Sequence, residues 1–388
     1  MKYNGTFLAA AVVAFAVSAL RLGLPAKVEA QHSLGSETTV VHSQFGGQIF
    51  GFDIDQNGTE GVLSESQDIG GGRVLAAVET FDQTTGAILK VVKKLQTKDD
   101  FVTLGIGGAA VGLVEREHVK GIYVVKRIYE ELSPVNKNNF TGTWNAPLAS
   151  NDIIEGFSQN QGAGGGTFTN AVLAFQNGGN NNTFVFGTNV NTKTFGKQIT
   201  LTDPVFSISP VMAYDAKTNQ AVIAAATGAV GGPAPQIALV DLTKGTVKEF
   251  TGILGPPPFH QGYVNGIAVD SEDGIACTTT ELDAQVEFYD LNKQTGFAVP
   301  LPGNAGQLQS GQNLEYDPIN KLFLVAQPFS STGPGSSIQV YDINGNLVES
   351  LNGFNFPIST GAMFQIHPSQ RSGFVYGTGL AELDLFTY

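Results

Sequence analysis

The chain has 388 residues, of which 48 are Gly, 42% hydrophobic and only 14% charged, whereas an ordinary soluble domain carries about 7% Gly and about 25% charged residues. The hydrophobic share excludes intrinsic disorder, and glycines without a three-residue period exclude a collagen-like chain. With a formal net charge of −13 and no basic stripe to neutralise phosphates, neither nucleic acid nor an anionic membrane surface is an expected partner.

Taken in chain order, residues 1–30 read as a signal peptide. Lys2 supplies positive charge, Leu8 to Leu20 is a 13-residue apolar run broken only by Ser18, and Val28-Glu29-Ala30 offers a small-residue cleavage site. The run is shorter than the roughly 20 residues that cross a bilayer as a helix. An exported chain is therefore expected, periplasmic or extracellular, with no membrane span after signal removal. Residues 31–47 form an N-terminal segment whose one β-rich stretch is Thr38–His42, and residues 48–388 form the main domain.

Phe50 to Glu60 reads as a first strand and turn, and Val78–Gly86 parallels the later Val286–Gly296. Val111–Glu115 with Ile122–Val125, and Ala171–Phe175 with Thr183–Phe186, add further strand pairs. From Val211 a unit repeats clearly. Its first strands close on Asp215, Asp270, Asp317 and His367, at spacings of 55, 47 and 50 residues. Polar turns and apolar second strands follow, then third strands Ile237–Leu242, Val286–Leu291 and Ile338–Ile343, then Gly-containing turns and a short fourth strand such as Gly345–Ser350. Four strands per unit of about 50 residues is the pattern of a propeller blade. The expected fold is all-β: a seven-bladed β-propeller of four-stranded antiparallel blades starting near residues 48, 105, 155, 208, 264, 311 and 360. The seventh unit reaches Tyr388 after its third strand, Ala381–Leu385, which leaves an open edge. Thr38–His42 is expected to be the outer strand that closes the last blade.

These units resemble the bacterial propellers of the NHL, YVTN and gluconolactonase-type families, over most of residues 48–388. Asn265-Gly266-Ile267-Ala268-Val269-Asp270 is similar to the stretch in which gluconolactonase-type enzymes give a channel asparagine to a divalent metal. The resemblance implies an aspartate in the same register of the next blade, but that position is Gln312. The neighbouring repeats have Pro210 and Ala362 there.

Loops preceding inner strands are the expected binding surface, because they sit on a rigid scaffold at the channel mouth. The segment Pro256–Asn265 combines a proline run with His260, Gln261, Tyr263 and Asn265; Gln309, Gln312 and Asn313 lie before the next unit, and Asn355 before the last. Such amide-rich, uncharged surfaces suit a small polar ligand or an extracytoplasmic protein partner. The expectation is a non-catalytic, monomeric binding protein without a cofactor. The alternative is a lactonase- or lyase-like enzyme at the same mouth, with His260 as general base beside Asn265. Asp53, Asp55 and Asn57 match the opening of a Ca²⁺ loop, although Ser64 stands where the bidentate Glu would be and Asn57-Gly58 also signals a plain hairpin turn. The single cysteine, Cys277, lies in an apolar strand and is expected to be buried and inert.

Overall fold

The computed structural model of the protein describes residues 40–54, 59–71, 73–97, 100–106, 110–119, 122–132, 140–144, 152–159, 170–177, 183–189, 194–201, 211–215, 217–224, 235–251, 264–280, 285–302, 314–327, 336–354, 364–376 and 381–388. They form seven antiparallel sheets. Sheet 1 contains β2 (Gln48–Ile54), β3 (Glu60–Gly70), β4 (Arg73–Asp82) and β5 (Ile88–Thr97). Sheet 2 contains β6 (Asp100–Ile106), β7 (Ala110–Val119), β8 (Ile122–Leu132) and β9 (Phe140–Trp144). Sheet 3 contains β10 (Asp152–Gln159), β11 (Asn170–Asn177), β12 (Thr183–Asn189), β13 (Thr194–Phe195) and β14 (Ile199–Leu201). Sheet 4 contains β15 (Val211–Asp215), β16 (Gln220–Ala224), β17 (Pro235–Asp241) and β18 (Thr246–Thr251). Sheet 5 contains β19 (Val264–Asp270), β20 (Ile275–Thr280), β21 (Gln285–Asp290) and β22 (Thr295–Pro300). Sheet 6 contains β23 (Leu314–Asp317), β24 (Leu322–Gln327), β25 (Ser336–Asp342) and β26 (Leu347–Phe354). Sheet 7 contains β27 (Phe364–His367), β28 (Ser372–Tyr376), β29 (Glu382–Thr387) and, outermost, β1 (Val40–His42).

Within each sheet the strands follow chain order, except that β1 pairs with β29, with Val41 opposite Leu383. The first strands β2, β6, β10, β15, β19, β23 and β27 neighbour one another in that order, and β27 in turn neighbours β2. Sheet 3 departs from the expected four strands: β13 and β14 both pair with β12, and between them the Gly196 N–H bonds the Gly187 carbonyl of β12 at 2.8 Å.

The acids that mark the repeat have a local cause. At the ends of β15, β19 and β23 the Asp carboxylate accepts from backbone N–H groups of the turn that follows. Asp270 accepts from Glu272 at 2.9 Å, and Asp317 from Ile319 and Asn320 at 2.8 and 2.9 Å. Third strands end the same way, with Asp241 accepting from Thr243 and Lys244 at 3.0 and 2.8 Å and Asp290 from Asn292 and Lys293 at 3.1 and 2.8 Å. These are Asx turns, in which a short acid side chain supplies the acceptor that the turn's orphan N–H groups need. Each hairpin then passes through a left-handed residue: Gly274 at φ 71, but also Gln294 at 59 and Lys321 at 55.

Packing between sheets supplies the core. Second strand β24, Leu322–Gln327, is buried at every position and so on both faces, whereas the outer strand β22 is exposed or half-buried throughout. Phe288 of sheet 5 meets Phe323 of sheet 6 edge-on at 5.7 Å, and Phe81 of sheet 1 meets Phe374 of sheet 7 at 5.5 Å. All four rings are at most 2% exposed, so truncating any of them to Ala costs about 3–5 kcal/mol. Stacking of sheet faces on one another leaves little surface for charge, which is the physical reason for the low charged fraction.

Candidate functional site

First strands begin, and second strands end, at one end of the sheets; the Asx hairpins occupy the other. His260, Gln261, Tyr263, Gln309, Gln312, Asn313, Asn355, Asp55 and Asn57 lie outside the described residues. Asn265 is within β19, at a β-bulge: the register passes from Val264 opposite Thr280 directly to Gly266 opposite Thr279. β2 and β10 bulge at the corresponding place, between Ile49 and Gly51 and between Ile154 and Gly156. A bulge adds one residue to a strand and re-aims the chain, and bulges concentrate at rims and next to functional sites. Asp53 lies in β2, opposite Val62.

At the same end, sheet 6 gathers a neutral polar cluster. Ser337 Oγ donates to Gln327 Oε1 at 3.0 Å, Gln339 Nε2 lies 3.1 Å from Ser337 Oγ, and Ser350 Oγ donates to Gln339 Oε1 at 2.5 Å. Gln327, Ser337 and Gln339 are at most 6% exposed, and the Gln327 amide nitrogen has no acceptor among the described residues.

The cluster belongs to a pattern. Glu79, Glu287 and Gln339 each stand three residues before the Asp that closes a third strand, and all three are buried. Glu287 accepts from Thr278 Oγ1 at 3.0 Å and Tyr289 OH at 2.7 Å. Burial first, then the Glu287 carboxylate, pushes the Tyr289 phenol well above its ordinary range. Glu79 accepts a backbone N–H from Gln44 at 3.0 Å and has the carboxyl of Glu65 beside it.

Nearer the inner strands, Gln365 Nε2 of β27 donates to Glu315 Oε1 of β23 at 3.1 Å, and burial pushes Glu315 up to about 8. Tyr388 OH donates to Asp317 Oδ2 at 2.8 Å, tying sheet 7 to sheet 6. Cys277 is fully buried, and its thiol is pushed well up by burial and then by Glu287. At the hairpin end, a cleft of about 450 Å³ opens between sheets 5 and 6, floored by Phe288 stacked on Phe297 at 5.1 Å. Its carboxylates are already used: Asp290 pairs with Lys293 at 2.7 Å and Asp273 with Lys321 at 2.9 Å. Among the described residues no group of three His, Cys, Asp or Glu is arranged to hold a metal ion.

The buried polar positions were absent from the sequence reading, although a signal for them exists. Glu315 and Gln365 stand where the sister repeats carry Ala213 and Ala268, and Glu287 stands where another carries Ala238.

No protein-family model matches the chain, and no curated protein matches it. Solved structures do. The chain is similar to the hydrazine synthase of Kuenenia stuttgartiensis (TM-score 0.58, 10% identity, 88% of this chain and 96% of that one). It is similar to the WD40 repeats of RRP9 (TM-score 0.57, 10% identity, 92% and 99%) and to the β-propeller domain of Myceliophteria thermophila Cps50 (Swd1) (TM-score 0.55, 8% identity, 90% and 98%). At these identities the likeness concerns the fold: the chain is a β-propeller.

Proposed function

We propose that the chain is an exported, non-catalytic, seven-bladed β-propeller of the NHL, YVTN and gluconolactonase-like kind, its last blade completed by β1. It binds a small polar ligand or an extracytoplasmic protein at the channel end where residues 252–263, 303–313 and 355–363 connect successive blades. The observation that carries this reading is the bulge at Asn265, which interrupts an inner strand at the end where His260, Gln261, Tyr263, Gln309, Gln312, Asn313 and Asn355 are expected. The buried amide and hydroxyl groups of sheet 6 at that end support a neutral ligand over an ionic one. Ring closure is supported by the β1–β29 pairing and by the neighbouring of β27 and β2. Export rests on the pattern of residues 1–30.

A thermal-shift screen of neutral sugars, lactones and metal ions tests the site, with His260→Ala and Asn265→Ala as controls. The expected result is a ligand that raises the melting temperature of the wild type and of neither variant. A shift retained in both variants refutes the site. Turnover of a lactone that both substitutions abolish would establish the enzymatic alternative instead.

A further inference from the structure

The segment 43–47 joins β1 of sheet 7 to β2 of sheet 1. It carries no charged side chain, yet its backbone makes three bonds to carboxyl groups. Gln44 N–H donates to Glu79 Oε2 at 3.0 Å, Phe45 N–H to Glu65 Oε1 at 3.0 Å and Gly47 N–H to Glu65 Oε2 at 2.7 Å. A Cβ on Gly47 would stand 2.9 Å from Glu65 Oε2 and 2.7 Å from the Ser66 carbonyl oxygen, so the approach is open only to glycine. Ser43 adds two ties, its N–H to the Ala381 carbonyl at 2.9 Å and its Oγ to the Gly47 carbonyl at 2.9 Å.

The two carboxyl groups that receive these bonds differ from the other buried polar positions in one respect. Glu287 and Gln339 are met by hydroxyl and amide groups; Glu79 is met by another acid. Glu65 and Glu79 are both 0% exposed and lie diagonally on one face of the β3–β4 pair, which buries the two carboxyl groups side by side. Such a pair needs a proton, because two carboxylates enclosed together repel. Glu79 Oε1 meets no N–H or O–H donor among the described residues, which makes it the oxygen left to carry that proton. Charge does not favour two carboxylates. The cation beside them, Lys94 of β5, is exposed and stands 3.9 Å over the Phe45 ring. Across the interface β28 presents Tyr376, whose ring meets Phe52 at 5.3 Å. On β1 and β29, His42 and Glu382 face each other at 3.5 Å on the solvent side. Three backbone N–H groups and a solvated lysine balance one buried negative charge, and a second would be uncompensated.

We propose that segment 43–47 is a proton-operated clasp: a single proton on Glu79, beside Glu65, holds the N-terminal strand's connection onto blade 1, and loss of that proton releases it. The proposal rests on the reading of β1 as the ring-closing strand. Burial first, then the charge of Glu65, push Glu79 up to about 8, against the Gln44 N–H and Lys94, which pull it down. A carboxyl whose folded value lies above its ordinary 4.5 binds its proton more tightly in the clasped state. The clasp is therefore secure in acid, weakens as pH rises, and reaches its weakest state above about pH 8.

Hydrogen exchange of the full chain, followed on peptides covering residues 40–48 and corrected for intrinsic chemistry, tests this. The expected protection falls about tenfold per pH unit between about pH 5.5 and 7.5 and levels off above pH 8. In Glu79→Gln, an isosteric change that keeps an amide donor towards Glu65, protection becomes independent of pH. Constant protection in the wild type, or an unchanged pH dependence in Glu79→Gln, overturns the clasp. Failure of ring closure is read separately: a variant lacking residues 31–42 that melts at the wild-type temperature removes that reading, whatever the exchange data show.

Discussion

Replacing Val41 by Ala isolates the contribution of the N-terminal strand β1 to sheet 7. Val41 is 0% exposed, lies opposite Leu383, and belongs to the core that also contains Ile49, Phe52 and Tyr376. Two methyl groups leave that core, a transfer loss of about 1.6 kcal/mol at about 0.8 kcal/mol per carbon. A cavity of about 40 Å³ adds about 1 kcal/mol. With an unfolding entropy of about 2.1 cal/mol/K per residue, a domain of about 350 residues loses about 3–4 °C in melting temperature if it melts cooperatively. Differential scanning calorimetry at pH 6 is the assay. The control is His42→Ala, whose side chain is 69% exposed and which should fall within about 0.5 kcal/mol of wild type. Removing residues 31–45 deletes the strand, its ladder and the bonds from Gln44 to Glu79 and from Phe45 to Glu65 together, and should lower the melting temperature sharply. If Val41→Ala melts within about 1 °C of wild type, β1 bears no load and the account of closure is wrong.

Glu315 offers a test in pH. Its folded value of about 8 lies above its ordinary 4.5, so the stability it contributes is present in acid and lost as pH rises from 4.5 through about 8; Glu315→Gln should flatten the fall of melting temperature between pH 5 and 8, and an unchanged slope would exclude Glu315 as its source. Gln294 sits at φ 59 in the β21–β22 hairpin, where an L side chain costs about 1 kcal/mol; Gln294→Gly should raise stability by about 0.5–1 kcal/mol in chemical denaturation, and a loss would show that the side chain carries a contact of its own. Cys277, fully buried with its thiol pushed up, should remain unreactive towards a disulfide reagent until the protein unfolds; rapid labelling at pH 8 would contradict its burial. Gly47→Ala should destabilise by more than about 1 kcal/mol through the clash with the Ser66 carbonyl and Glu65, and a neutral outcome would mean that the segment shifts freely.

Much of this architecture was legible in the chain because each repeat writes its own boundaries. The strand-closing Asp215, Asp270 and Asp317 announce hairpins through a local event, a carboxylate accepting the next few backbone N–H groups, and local events survive in sequence. Sheets 2 and 3 were harder to read: β6 begins at Asp100, ahead of the expected start near 105, and the outer strand of sheet 3 is divided between β13 and β14. Of the residues expected to bind the polar ligand only Asn265 falls within a described strand, and its bulge is a property of pairing with β20 that no single-strand pattern reveals.

By itself the sequence determined a β-rich repeat chain with a large core, little charge and one buried thiol, because strand period, turn chemistry and composition act over a few residues. Tertiary structure alone decided which polar residues would be enclosed together. Glu65 and Glu79 are 14 residues apart, and Glu315 and Gln365 are 50 apart. In sequence none of them is marked out: Glu65 stands in a polar run, Ser64 to Asp68, and the other three each sit among apolar strand neighbours. Only the stacking of sheet faces removes them from water, and only then does each carboxyl depend on the neighbour that the fold places beside it.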